Sequence, residues 1–117
     1  MIYLDNAATT ALSPAAIQAM TKTMTVFGNP SSTHSHGREA SKLLRQARED
    51  IAQALHTQSN KILFTSGGTE SNNTAIKGYA LRHQNRGKHI VTTAIEHHAV
   101  LEPIEYLVER FGFEVTI

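Results

Sequence analysis

Apolar positions along the chain change spacing in a regular way. Ile17, Met20, Met24 and Phe27 stand three or four residues apart, the interval of a helix face. Ser13-Pro14 precedes them. A serine oxygen can cap the first turn, and proline at the first helical position gives up no donor that the helix needs. Gly28-Asn29-Pro30-Ser31-Ser32-Thr33 then breaks the pattern into a polar loop. A longer stripe of Ala40, Leu43, Leu44, Ala47, Ile51, Ala54 and Leu55 predicts a helix over 36–56, with arginines and glutamates on its other face. That stripe is expected to be core.

Beyond residue 60 the spacing shortens. Lys61 to Ser66 is a short apolar run between turn signals, the pattern of a strand covered on both faces. Residues 69–82 return to helical spacing, with Ala75, Ile76, Tyr79 and Ala80 as the expected inner face. Gly87 marks a turn and 89–94 predict a second strand. Residues 98–111 predict a helix with Val100, Leu101, Ile104, Leu107, Val108 and Phe111 on one side. Gly112 ends it, and 113–117 predict a third strand. Near the start, 3–5 are a candidate short strand and 6–12 an Ala- and Thr-rich loop. Strand, helix, strand, helix, strand is the order of a right-handed parallel α/β sheet. Three such strands make a thin sheet, and there is no internal repeat or linker. The chain is therefore expected to be the first part of a larger domain.

Charge and composition remove several function classes. Eleven basic and ten acidic residues among 117 are spread without a run, for a formal charge of +1. No general electrostatic case for nucleic acid or a membrane surface follows. The chain has no cysteine, which excludes disulfides, thiolate metal sites and thiol catalysis by its own residues. Its start, Met1-Ile-Tyr-Leu-Asp-Asn, lacks the basic and apolar regions of a signal peptide. No apolar run approaches the roughly 20 residues that span a bilayer. A soluble cytoplasmic chain is the expectation.

Two segments carry candidate chemistry. In Ser66-Gly67-Gly68-Thr69, glycines let the backbone approach an anion. The helix that follows offers unpaired N–H groups and its positive end, and Thr69 adds a hydroxyl. A plain strand-to-helix turn is the bland alternative. The spacing is neither that of a Walker loop nor that of the dinucleotide fingerprint. Glu96-His97-His98 follows the next strand, where open α/β sheets bind ligands. An imidazole there can stack on an aromatic cofactor or move a proton near neutral pH. Adjacent side chains diverge, so one histidine is expected to face a site; a surface histidine or a helix cap is the alternative. Zinc is disfavoured, because no third ligand stands at metal spacing. His34 and His36 lie in a polar loop that suits a solvated connection, a lid or a subunit contact. Glu70 reads as a surface charge suited to a helix start, and Asn72 and Asn73 as residues that hydrogen-bond locally.

Four motifs taken together resemble a known family. Tyr3-Leu-Asp-Asn-Ala-Ala-Thr-Thr10, Phe27-Gly-Asn-Pro-Ser-Ser32, Phe64-Thr-Ser-Gly-Gly-Thr-Glu-Ser-Asn72 and Glu96-His97-His98-Ala-Val-Leu101 occur in the order found in NifS/IscS-type cysteine desulfurases. These are pyridoxal-phosphate enzymes of the class V aminotransferase group. The resemblance implies an α/β fold: the N-terminal part of a fold-type I PLP-dependent transferase large domain, a mostly parallel sheet with flanking helices. Residues 1–12 would be an N-terminal arm and 13–117 an incomplete cofactor-binding domain. It implies that Gly68 and Thr69 hold the phosphate of pyridoxal 5'-phosphate, and that His97 stacks on its ring and assists proton transfer. The Asn29–His36 loop and the Asp5–Thr10 arm would lie near the active site or the dimer contact.

The reaction so implied removes sulfur from L-cysteine. It leaves alanine and a persulfide on an enzyme cysteine, which serves sulfur-acceptor or scaffold proteins in iron–sulfur cluster assembly or tRNA thiolation. A homodimer is expected, with no metal, nucleic acid or membrane involved. The family also needs a Schiff-base lysine, an acidic partner for the ring nitrogen, an arginine for the substrate carboxylate and a nucleophilic cysteine. This chain has no cysteine, and none of its lysines stands in the family's lysine motif. The chain alone is thus expected to be inactive. Selenocysteine lyase, another class V activity, or a non-catalytic anion-binding remnant are the alternatives.

Overall fold

A computed structural model describes residues 2–117. The chain divides into two compact units, one ending at Ile62 and one running from Leu63 to Ile117.

The first unit is helical. Helix α1, Pro14–Thr23, starts as expected, with the Ser13 side chain accepting from the Ala16 N–H at 3.2 Å. It buries no residue. Helix α2, Ser35–Ala54, is followed by a single 3-10 turn, Ser59–Lys61, packed against it. His34 caps α2 by accepting the Gly37 N–H on Nδ1. The helix ends two residues before the expected His56, which adopts a left-handed backbone with φ 51°. The apolar stripe of α2 is only partly covered, a correction to its reading as core. Ala40 and Leu44 are half-buried, but Leu43, Ala47, Ile51, Ala54 and Leu55 are exposed, and the buried alanine of the helix, Ala52, lies outside the stripe. Helix α1, which buries no residue, does not seal that stripe. Residues 3–5 form no strand; the Tyr3 hydroxyl instead donates to the carbonyls of Asp5 and Thr9, in a turn.

The second unit holds an α/β arrangement. Helix α3, Gly68–His83, leads through Gly87 to strand β1, His89–Val91; helix α4, His98–Phe111, leads to strand β2, Glu114–Thr116. The strands pair in parallel, with Ile90 opposite Val115. The Thr92 N–H to Thr116 carbonyl bond at 2.9 Å extends the ladder. His89 Nε2 and Thr116 Oγ1 lie 2.8 Å apart across it. The core is one face of α4 and what it covers: Ala99, Pro103, Ile104 and Leu107, with Phe113 just after the helix. Gly112 closes α4 in the left-handed conformation, φ 66° and ψ 38°, where a side chain would be strained. Lys88 Nζ donates to the Phe111 carbonyl at 2.7 Å and puts a cation at that helix end.

Two expectations are corrected here. Residues 61–66 are not a paired strand: the 3-10 turn takes Lys61, and none of 62–66 joins a ladder, leaving Leu63 68% exposed. A strand covered on both faces needs neighbours, and β1 pairs only with β2 among the described residues. The sheet therefore has two strands rather than three. On α3 the inner face is rotated from the expected one. Tyr79 is 73% exposed, while Ile76, Lys77, Ala80 and Leu81 are half-buried.

Candidate functional site: the starts of two packed helices

The loop before α3 is held by its own side chains. Glu70 reaches back from the first turn, and its Oε2 accepts both the Ser66 N–H at 2.7 Å and the Ser66 hydroxyl at 2.6 Å. Those two bonds, hydroxyl first, hold the Glu70 carboxyl below its ordinary value of 4.5. Thr65 Oγ1 donates to the Gly67 carbonyl at 3.2 Å and lies 2.6 Å from Ser71 Oγ. Since the Thr65 proton is committed, Ser71 is the donor of that second bond. The Asn73 amide donates to the Thr69 carbonyl at 3.0 Å, the local bonding expected of it.

What this network leaves open matters more. The first backbone bond into α3 runs from the Ser71 N–H to the Gly67 carbonyl, so the N–H groups of Gly68 and Thr69 precede the helical ladder. Gly67 is the N-cap and supplies no side-chain cap. Neither glycine is needed by the chain around it. Gly67 is extended and Gly68 helical, and a Cβ added at either would meet nothing within 4 Å. Gly28 and Gly37 are the contrast: a Cβ there would run into the backbone of His36 and of Ser32. The Gly67-Gly68 pair thus leaves its outer side open, as Gly78, Gly87 and Gly112 do, but here beside N–H groups at the positive end of a helix. Such a combination can receive an anion.

His97 is the N-cap of α4. Its Nδ1 accepts the Ala99 N–H at 3.0 Å, which puts the proton of the neutral ring on Nε2. The ring is exposed. The His98 ring stands edge-on to it, with ring centroids 6.2 Å apart and planes at 70°. His98 instead rims a cavity of about 420 Å³ lined by Leu101, Ile104, Val108 and Val115. The helix-cap alternative is therefore realised, and the same bond fixes the orientation of the His97 ring. Glu96 is tied to its own loop, accepting from Thr93 Oγ1 at 3.0 Å.

The two helix starts belong together. Helices α3 and α4 pack on each other, and in this helix–strand–helix–strand order with parallel strands each helix runs opposite to the strands and in the same sense as the other. Lys77 Nζ stands 4.4 Å over the Tyr106 ring, at matching depth from Gly68 and from His98. Gly68, Thr69 and His97 consequently lie at one end of one unit. Sequence reasoning undervalued Glu70 and Ser66; a hydroxyl residue four positions before an acid, across a glycine cap, was the available signal. Among the described residues no cluster of metal-ligand type occurs, and no helix is long and apolar enough to cross a membrane.

Comparison with known proteins shows the family of this chain. The sequence profile of the family described as aminotransferase class-V matches residues 2–117. A cysteine desulfurase IscS of Dictyoglomus turgidum is 53% identical over 116 residues, which cover 98% of this chain and 29% of the relative. Among solved structures, a NifS-like protein superposes with a TM-score of 0.85 at 39% identity, covering 95% of this chain and 30% of its own. A structure titled SspA in complex with cysteine gives 0.81 at 39% identity, covering 94% and 32%. The chain belongs to the class V aminotransferase family, and it spans about 30% of the length of the relatives it matches.

Proposed function

We propose that this chain is the N-terminal part of a pyridoxal-phosphate-dependent cysteine desulfurase, and that Gly68, Thr69 and His97 are its share of the cofactor site. The observation that carries the reading is the glycine pair at the start of α3, which has no internal reason to be glycine and stands beside unused N–H donors. The desulfurase names of its relatives, and the cysteine named with one solved structure, support the substrate.

These residues fit a phosphate-bearing planar cofactor. The Gly68 and Thr69 N–H groups and the Thr69 hydroxyl would hold the phosphate, aided by the α3 dipole. The exposed His97 ring, oriented by its bond to Ala99, would offer a face for stacking and its Nε2 for holding a proton. When bound, pyridoxal phosphate supplies an electron sink. The substrate is L-cysteine, and the products are alanine and a sulfur carried as persulfide on a cysteine of the full-length protein. Sulfur-acceptor or scaffold proteins would take it on, for iron–sulfur cluster assembly or tRNA thiolation, in a cytoplasmic homodimer. The anchoring lysine and the nucleophilic cysteine are not among this chain's residues, so this chain by itself binds and orients but does not desulfurate.

The test is to read the coding DNA past the Ile117 codon and express what it encodes. A continuation that supplies a cofactor lysine and a later cysteine, and a product that forms alanine from L-cysteine, is the expected result. A stop codon without a companion gene, or a cofactor-loaded protein that leaves L-cysteine untouched, overturns the desulfurase assignment.

A further inference from the structure

The turn that offers donors to an anion also carries a carboxylate in its first helical turn. A free carboxylate there would compete with an incoming phosphate for the same N–H groups. In the structure it does not, because Glu70 is folded back and committed to Ser66 through one oxygen, Oε2, at 2.7 Å and 2.6 Å. The neighbouring pair, Thr65 and Ser71, closes the same loop from the other side.

We infer that Glu70 is a positioning residue for the phosphate-binding turn: it clamps Ser66 so that Gly67, Gly68 and Thr69 present their N–H groups outward. The inference rests on the reading of this turn as a phosphate site. Glu70 makes no contact with the anion; it acts through the backbone of Ser66. The ionised carboxylate accepts these bonds best, and their acceptor geometry is the part that a neutral side chain can keep. One oxygen takes both bonds, and a glutamine carbonyl can accept the same pair. An alanine can accept neither.

Inorganic phosphate titrated into the nitrogen-15-labelled full-length product, freed of cofactor, tests this, with the Gly68 and Thr69 amide shifts as readout. Glu70→Ala should weaken phosphate binding about tenfold, in line with the loss of hydrogen bonds to a charged group. Glu70→Gln should rescue it to within about threefold of the unaltered chain, since geometry is kept and a like charge is removed. The Ser66 amide, followed by hydrogen exchange without phosphate, should be protected in the unaltered chain and in Glu70→Gln, and released in Glu70→Ala. Circular dichroism establishes that each variant is folded, and Glu70→Gln decides the matter if Glu70→Ala is not. Unchanged phosphate binding in Glu70→Ala, or a loss in Glu70→Gln as large as in Glu70→Ala, overturns the clamp alone. An unaltered chain whose Gly68 and Thr69 amides ignore phosphate overturns the phosphate reading, and the clamp's purpose with it.

Discussion

At the scale of single residues, the structure gives His97 two duties that one substitution would confound. Its Nδ1 caps α4, and its exposed ring is the part proposed to meet the cofactor. Replacement by alanine removes both, with a cap loss of about 1 kcal/mol. Asparagine restores the cap without the ring. Turnover of the full-length enzyme should thus fall in His97→Ala and stay low in His97→Asn, while the thermal midpoint recovers only in His97→Asn. His98→Ala should lower turnover less than either, because His98 rims a separate cavity beside Leu101 and Val115 and does not cap the helix. Recovery of turnover by asparagine would mean that the cap was the whole role. Thr69→Ala tests the other half of the site. Loss of one hydroxyl donor to a charged group should weaken cofactor retention by about 1–3 kcal/mol, measured by equilibrium dialysis of the full-length protein. Glu70 adds a pH signature. A carboxylate held below 4.5 stabilises its turn above that pH and releases it as the pH falls through the lower folded value. The Glu70 carboxyl carbon should titrate with a midpoint under 4.5, and Ser66→Ala, which removes the larger cause, should raise that midpoint toward 4.5. A midpoint at or above 4.5 in the unaltered chain contradicts the two bonds.

At the scale of elements, helices were legible and strands much less so. The bounds of α4 follow from its apolar face and from Gly112, because the residues that define the helix also bury it. Helix α3 mixes polar and apolar residues around its circumference, so its inner face was misread at Tyr79 and had to be set by contact with α4. The run 61–66 has strand composition, but a strand is completed only by a neighbour, and composition cannot supply one. The candidate site was named from motifs, at Gly68, Thr69 and His97, while the bond from Glu70 back to Ser66 was not legible, because Glu70 bends backward across a glycine cap. The glycine pair yields a prediction with opposite signs. Gly68→Ala meets no steric obstacle and sits in helix, so it should stabilise the second unit by up to about 0.5–1 kcal/mol. It should also weaken phosphate or cofactor binding, because the added methyl stands where the anion approaches. A raised unfolding midpoint with undiminished binding would show that the space beside Gly68 is not used.

At the scale of the molecule, the amount of exposed surface decides what the isolated chain does. Its accessible area is 9673 Å² at 12.8 kDa. Two wholly separate compact units of half that mass would together expose about 7,600 Å² by the usual scaling, so an excess of roughly 2,000 Å² remains however the units are arranged. Much of the exposed side-chain surface is large and apolar: Leu4 86%, Met24 77%, Phe27 74%, Val91 77% and Ile95 93% exposed. Together with the excess area, large apolar side chains left in water favour association. On the reading proposed above, the rest of a full-length enzyme would cover part of them. The 117-residue chain alone should therefore self-associate as its concentration rises, bind a hydrophobic dye such as ANS, and melt broadly rather than in one sharp step. Light scattering, dye fluorescence and calorimetry on the purified chain, compared with the full-length product, measure all three. A monodisperse monomer with a sharp melt and no dye binding would show that these side chains are satisfied within the chain itself, and the case for a partial domain would fall.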